Sequence, residues 1–302
     1  MNTNFLHDSA PERLDTALAK HLGVSRARAQ RAIKNGRVFV NGVIIKAHTK
    51  LATGAEITVS PEIIRKADKQ EAPALEVIFE NKDILVVNKP AGLLVHPTLA
   101  SQEPTLMDAI INYDKKIKGV GGDIHRSGIV HRLDREASGV LIVARNEKAH
   151  RHLKEQFKQR LTEKHYVVLV LGKVAEQHGT INFPIARSST RARMAARPLS
   201  QEGKDAITHY EVVKHFTTST LLDVRIVTGR THQIRAHLFA LGHPVAGDKL
   251  YVRKGIKPVK TTRLFLHAKA LTVTLPNEER QTFNAPLPAE LEDVLLALKP
   301  SL

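Results

Sequence analysis

The sequence predicts an α+β protein in two parts, a small helix-and-strand unit followed by a much larger one built on a mixed sheet. Three observations carry this. At 302 residues the chain has room for about two domains of roughly 150 residues each. Its first sixty residues read as two short helices and then strands. Beyond them strand-like and helical runs do not alternate strictly, which argues against a doubly wound parallel sheet and for mixed α+β. With 42% apolar residues the chain can bury a core, so wholesale disorder is excluded.

In residues 12–22, Leu14, Leu18 and Leu22 stand at i, i+4 and i+8, the stripe of an amphipathic helix, and Gly23 stops it. Ser25 has the chemistry of an N-cap for a second helix over 26–35, with Ala29 and Ile33 four apart. Asn35-Gly36 ends that helix, because both residues tolerate the left-handed conformation. The runs 38–40 and 43–45 flank Asn41-Gly42, a two-residue hairpin turn, and 56–59 reads as a third strand. Residues 61–74, polar and bounded by prolines, look like a linker. After it, strand-like runs fall at 77–79, 84–87, 140–143, 166–171, 209–213, 221–227 and 271–275. Helical patterns fall at 105–112, 147–160, 231–241 and 288–298.

Charge and composition narrow the function. There are 46 Lys and Arg against 30 Asp and Glu, a net +16, which favours a polyanionic partner, nucleic acid or an acidic membrane surface. Cysteine is absent, so a thiol nucleophile, a disulfide scaffold and a Cys-ligated metal are excluded. No apolar run nears the ~18 residues of a membrane span, and residues 1–11 lack the pattern of a secretory leader; a cytoplasmic protein is expected. The run Lys118-Gly-Val-Gly-Gly-Asp123 matches neither nucleotide-binding glycine motif. His-Glu-x-x-His does not occur, and His232 and His237, five apart, do not share a helix face. Neither a metal nor a small-molecule cofactor is expected.

Two segments carry chemistry. From Val24 to Lys50 there are seven basic residues, Arg26, Arg28, Arg31, Lys34, Arg37, Lys46 and Lys50, and no acid. A solvated helix face usually mixes signs, so a phosphate-binding face is the better reading. The second segment is His131-Arg132-Leu133-Asp134-Arg135-Glu136-Ala137-Ser138-Gly139, directly before an apolar strand. Asp134 between two arginines reads either as a loop ion pair of little worth or as a carboxylate kept ionised at a sheet edge, a nucleophile or base.

Both segments resemble known modules. The pattern R-L-D-x-x-L…S-R-x-x-A-x-x-x-I-x-x-G-x-V-x-V-N-G is similar to the S4 domain, a small RNA-binding module. The stretch His131-Arg-Leu-Asp134-x-x-x-Ser-Gly139 resembles the RluA/RluD family of pseudouridine synthases. So do Glu80-Asn-Lys-Asp-Ile-Leu-Val-Val-Asn-Lys89-Pro90-Ala-Gly92-Leu-Leu-Val-His96-Pro97 and Lys164-His-Tyr166. Thr228-Gly-Arg-Thr-His-Gln-Ile-Arg235-Ala-His237 and Gly247-Asp248-x-x-Tyr251 complete the set, which together covers nearly the whole chain. Ala137 departs from the family, which usually has Thr there, and a packing change is expected.

The resemblance implies a mixed, mainly antiparallel catalytic domain over 75–302, an S4-like (αL-like) RNA-binding domain over 1–60, and 61–74 as linker. It implies an isomerase that converts uridine to pseudouridine in ribosomal RNA, most simply of the large subunit, acting as a monomer on rRNA or a pre-ribosomal particle. Asp134 is the implied catalytic carboxylate, attacking C1′ or removing the C2′ proton. Arg235 pairs with it, or else contacts phosphate at a helix start. Tyr166 stacks on the uracil and serves proton transfer at C5. Arg132 props the space left by a flipped base, with His131, Arg230, His232 and Gln233 beside the substrate. Arg26, Arg28, Arg31, Lys34, Arg37, Arg191 and Arg193 are expected on the RNA backbone. A ribosome-assembly factor without activity is the alternative. A retaining glycosidase needs a second carboxylate about 5 Å away and leaves the basic charge unexplained.

Overall fold

A computed structural model describes residues 3–24, 26–60, 72–97, 103–188, 190 and 193–301. The chain divides into two compact units between residues 71 and 72, with 97–104 falling to the smaller one. Ser25 and residues 61–71 of the expected linker lie outside the described residues.

In the smaller unit, helices α1 (Leu14–Leu22) and α2 (Arg26–Lys34) accompany a three-stranded antiparallel sheet. Its strands are β1 (Thr3–His7), β2 (Val38–Val40) and β3 (Ala55–Val59), with β3 central. Leu14, Leu18, Ala29, Ile33, Val38, Ile57 and Val59 are buried together, as the leucine stripe and the Ala29/Ile33 spacing require. Gly23, at φ 63°, closes α1 in the left-handed conformation.

Asp15 is fully buried and ties the helices together: Arg13 and Arg26 each reach its carboxylate at 3.0 Å, and Gln30 also donates to it. Burial alone would raise its pKa, but these three donors outweigh it and hold the group well below the usual carboxylate range.

The Asn41-Gly42 turn forms as expected, with both residues at positive φ (49° and 79°), and Val40 and Val43 exchange backbone hydrogen bonds. Residues 43–45 do not continue as a strand, however. Val43 and Ile44 stay exposed, and β2 pairs instead with β3. Strand β1 lies outside the segments whose pattern marks a strand; its Phe5 stacks on His21 at 3.5 Å.

The larger unit is built on nine strands: β4 (Val77–Glu80), β5 (Ile84–Lys89), β6 (Ser138–Ala144), β7 (Glu163–Leu171), β8 (His178–Ile181), β11 (Thr208–His215), β12 (Ser219–Ile226), β13 (Leu266–Thr274) and β14 (Arg280–Asn284). Their order is β4-β5-β6-β13-β7-β12-β11-β8, with β14 also on β13. Every pairing is antiparallel except β6 with β13. A separate hairpin joins β9 (Ile185–Arg187) to β10 (Met194–Ala196).

Alternate strand residues feed opposite faces, so both faces of the sheet are cores. Leu85, Leu141, Tyr166 and Val168 pack with α3 (Leu106–Tyr113) and α5 (Gln233–Ala240). On the other face Val86 and Ile142 pack with α4 (Glu147–Gln159), and Leu169 with α6 (Ala289–Leu296). At the parallel crossing Gly139, at φ 117°, lies so close to β13 that a Cβ would stand 2.2 Å from the Ala268 carbonyl. Only glycine fits there, and the crossing fixes the end of the loop that carries Asp134.

Candidate active site

Residues 132–137 form a tight loop feeding β6. Leu133 and Ala137 anchor it in the core, and the Ala137 amide closes it on the Asp134 carbonyl at 3.2 Å. Asp134 is thereby turned outward, into a cavity lined by Arg132, Tyr166, Arg230, His232 and Gln233 over an apolar floor that includes Leu133, Ala137, Ile226 and Leu266. Tyr166 reaches the cavity from the middle of β7, and Arg235 reaches Asp134 from the first turn of α5.

Arg235 holds three carboxylates. Its Nη1 lies 3.3 Å from Asp134 and 3.7 Å from Glu136, while Nε and Nη2 grip Asp248 at 2.7 and 2.9 Å. Both Arg235 (2% exposed) and Asp248 (fully buried) are out of water, where an unpaired charge would be costly. Asp248 supplies the compensation, and its Oδ1 also accepts the amides of Leu250 and Tyr251 at 2.8 and 3.0 Å. Burial by itself would weaken the guanidinium's hold on its proton; the bonds to Asp248 and then Asp134 more than reverse this and raise its pKa. Burial likewise disfavours the Asp248 carboxylate, yet Arg235 holds it below the ordinary range. Arg235 is therefore a fixed cation with one edge left for Asp134.

Tyr166 is 7% exposed. Burial first, and the nearby Asp134 charge second, push its hydroxyl well above the ordinary phenol value, so it keeps its proton throughout the neutral range.

The other expected residues divide. Arg132 stands exposed at the cavity rim, and Arg230 lines the wall with Nε donating to the Asp205 carbonyl at 3.0 Å. His232 opens α5 at φ 55° and also lines the cavity; burial lowers its pKa, leaving a neutral ring. Gln233 touches the cavity, but its amide is spent on structure. It accepts from Thr228 Oγ1 and the Arg230 amide, and donates to the Ile207 carbonyl and Thr208 Oγ1.

His131 does not line the cavity. Its Nε2 accepts the Ile142 amide at 3.0 Å and its ring stacks on Phe157 at 4.7 Å. Burial, then the Lys164 charge, push it down to about 3, as an acceptor nitrogen requires. It supports the loop rather than the substrate.

Among the residues expected on RNA, Arg26, Arg31, Lys34 and Arg37 are exposed and Arg28 half-buried, on or just after α2. Arg191 lies outside the described residues. Arg193 is half-buried. Its guanidinium lies 4.6 Å from both the Phe239 and Tyr251 rings, and Nη1 donates to the Leu250 carbonyl at 2.6 Å.

Two functional neighbours carried no role in the sequence reading. Asp248 stood in a quoted motif, but its partner lies 13 residues away and meets it only once α5 packs. Lys89 is the other. Fully buried, its Nζ donates to the carbonyls of Pro90 (2.8 Å), Leu93 (2.9 Å) and Arg135 (3.2 Å). The Gly92 amide donates to the same Arg135 carbonyl at 2.8 Å, and Arg135 Nε returns to the Gly92 carbonyl at 2.9 Å. These bonds brace the Asp134 loop from behind.

Among the described residues no group of His, Asp or Glu is set to hold a metal ion, and no helix is long and apolar enough to cross a membrane.

A family model described as RNA pseudouridylate synthase matches residues 83–240, and the S4 domain model matches 12–57. A protein of Aquifex aeolicus, described as an uncharacterized RNA pseudouridine synthase, is 43% identical over 82% of this chain and 79% of its own. The ribosomal large subunit pseudouridine synthase D of Nitrosomonas europaea is 37% identical over 99% of this chain and 89% of its own. Among solved structures, human RNA pseudouridylate synthase domain containing 1 superposes with a TM-score of 0.62 at 28% identity, covering 75% of this chain and 89% of that one.

Proposed function

The chain belongs to the RluA family of RNA pseudouridine synthases with an N-terminal S4 domain, and from that premise we propose that it isomerises uridine in large-subunit ribosomal RNA, with Asp134 as its catalytic carboxylate. The observation that carries this is that Asp134 and Tyr166 line one cavity while the buried Arg235 holds Asp134 at 3.3 Å. The choice of large-subunit RNA rests on relatives such as the Nitrosomonas protein named for that substrate.

The chemistry accounts for these residue types. Uridine and pseudouridine are isomers, so nothing is oxidised and no phosphoryl group moves. The N1–C1′ bond breaks, the base turns, C5 bonds to C1′, N1 gains a proton and C5 loses one. Cleavage builds positive charge at C1′ and negative charge on the base. A carboxylate beside the sugar meets the first need, either by attacking C1′ or by taking the C2′ proton. Arg235, fixed by Asp248, aims that carboxylate and favours its charged form.

Tyr166 keeps its proton, so it works by stacking on the uracil and offering a hydrogen bond, and it hands a C5 proton on only in concert with a base such as Asp134. A uridine within folded RNA must leave its stack to reach this site. Arg132, at the rim, then occupies the space it vacates. The S4 domain supplies RNA binding, through the cations of α2.

Unmodified large-subunit rRNA, naked or in pre-ribosomal particles, is the test substrate. Wild-type protein is expected to form pseudouridine, and Asp134→Asn to bind the RNA with unchanged affinity yet form none. Absence of product from the wild-type protein on both substrates would leave an RNA-binding assembly factor as the better reading.

A further inference from the structure

Tyr251 belongs to none of the roles above, yet it touches Arg235, Asp248, His232 and Arg193. It is 1% exposed. Its hydroxyl donates to the Met194 carbonyl in β10 at 2.8 Å and lies 3.4 Å from Nδ1 of His232 in the cavity wall. Its ring carries two guanidinium groups, that of Arg193 at 4.6 Å and that of Arg235 at 5.3 Å. Its own amide binds Asp248, the carboxylate that fixes Arg235.

The hairpin β9–β10 is a two-stranded sheet apart from the main one, and such a hairpin is marginal by itself. It keeps its place by packing: Ile185 and Met194 cluster with Ala236 of α5 and with Tyr251, and Arg193 bridges Phe239 and Tyr251. The hairpin bears Arg187 and Arg193, with Arg197 just beyond it, and no acidic residue lies between 187 and 197. This basic hairpin and the arginine that holds Asp134 therefore share one side chain as their support.

Resting on the reading of Asp134 as the catalytic carboxylate, we propose that Tyr251 is a positioning residue coupling the β9–β10 hairpin to the Arg235–Asp134 pair. RNA seated on the hairpin thereby sets the aim of the carboxylate. A displacement of the hairpin moves the Met194 carbonyl and the Arg193 guanidinium. Both act on Tyr251, and Tyr251 acts on Arg235 through its ring and on Asp248 through its amide. The path is contiguous and short, with each link a hydrogen bond or a ring contact, which is the physical basis such coupling requires. Binding energy gained on RNA away from the reacting base would then be expressed in turnover rather than in affinity.

Tyr251→Phe removes the hydroxyl and keeps the ring; Arg193→Met removes the cation and keeps much of the packing. Conversion of large-subunit rRNA and equilibrium RNA binding are measured for the wild-type protein, each variant and the pair. The loss of one hydrogen bond of ordinary strength corresponds to about a fivefold change. Each single variant is expected to lower kcat about fivefold while RNA Kd and KM stay within twofold. The double variant is expected to fall no further than the worse single, because both cut one path. Arg193→Lys, which restores a cation over the rings, is expected to recover part of the loss.

A merely structural tyrosine would lower Tm and leave kcat of the folded protein unchanged; that result, effects confined to Kd, or fully additive losses would each overturn the coupling. Should Tyr251→Phe fail to fold, the two Arg193 variants decide by the same readouts. An inactive wild-type protein would instead count against the reading of the site itself.

Discussion

At the scale of the residue, Arg235 shows how one buried cation serves two purposes. A guanidinium offers five donors in a planar fork, and here the fork is divided: two nitrogens hold Asp248, the third faces Asp134 and Glu136. Asp248→Asn would keep an oxygen for the Leu250 and Tyr251 amides but leave Arg235 buried with its main counter-charge gone. Breaking such a pair from one side costs roughly 3 kcal/mol or more, so thermal or denaturant unfolding is expected to show a loss of that order. Conversion by the folded fraction should also fall at least tenfold, because Arg235 is then free to turn wholly onto Asp134 and Glu136. A variant of wild-type stability and rate would show that Asp248 does not fix Arg235.

Residues of this kind differ in how far the sequence reveals them. Asp134, Tyr166 and Arg235 are each set in a motif specific enough to name them. His131 and Gln233 sit in the same motifs but spend their polar atoms on the Ile142 amide and on the turn before α5. A linear pattern says which residues a family shares and not which way each side chain faces.

At the scale of the element, the loop carrying Asp134 is held between a strand crossing that admits only Gly139 and an ammonium buried behind it. Burial, and next the neighbouring Arg263 charge, push Lys89 down from an ordinary 10.5 to about 7. Between about 7 and 10.5 the unfolded chain keeps a proton that the folded chain has released, so this group's contribution to stability rises with pH across that window and is flat below it. Lys89→Met leaves the Pro90, Leu93 and Arg135 carbonyls without their donor, a cost of about 2 kcal/mol at neutral pH. The gap in unfolding free energy between the wild-type protein and Lys89→Met is expected to widen from pH 7 to pH 9. A gap independent of pH would mean that Lys89 stays charged throughout.

Most strands and helices of this unit were legible, because alternating or 3.6-periodic apolar residues mark them wherever a face is buried. The strands that were not, β8, β9, β10 and β14, are three to five residues long. At that length there is little period to read, and tertiary pairing decides the conformation.

At the scale of the whole molecule, the net charge of +16 is better understood by asking which cations the fold buries and which it leaves at the surface. Arg235 and Lys89 are held inside by carboxylates or carbonyls, and the half-buried Arg145 is held by carboxylates. They add to the total and hold the fold together. In the S4 domain, Arg26 also supports the helix pair through Asp15, whereas Lys34 is exposed at the end of α2. Counterion release makes affinity fall with salt in proportion to the phosphates neutralised, by about 0.9 in slope for each. Replacing Arg28, Arg31, Lys34 and Arg37 together with glutamine, with Arg26 left to hold Asp15, is expected to flatten the plot of log affinity for rRNA against log salt by up to about 3.6. The conversion rate at saturating RNA should change little, since none of the four belongs to the cavity. An unchanged slope would place the docking surface elsewhere on the molecule, and a lost rate at saturation would mean that this face also orients the target uridine.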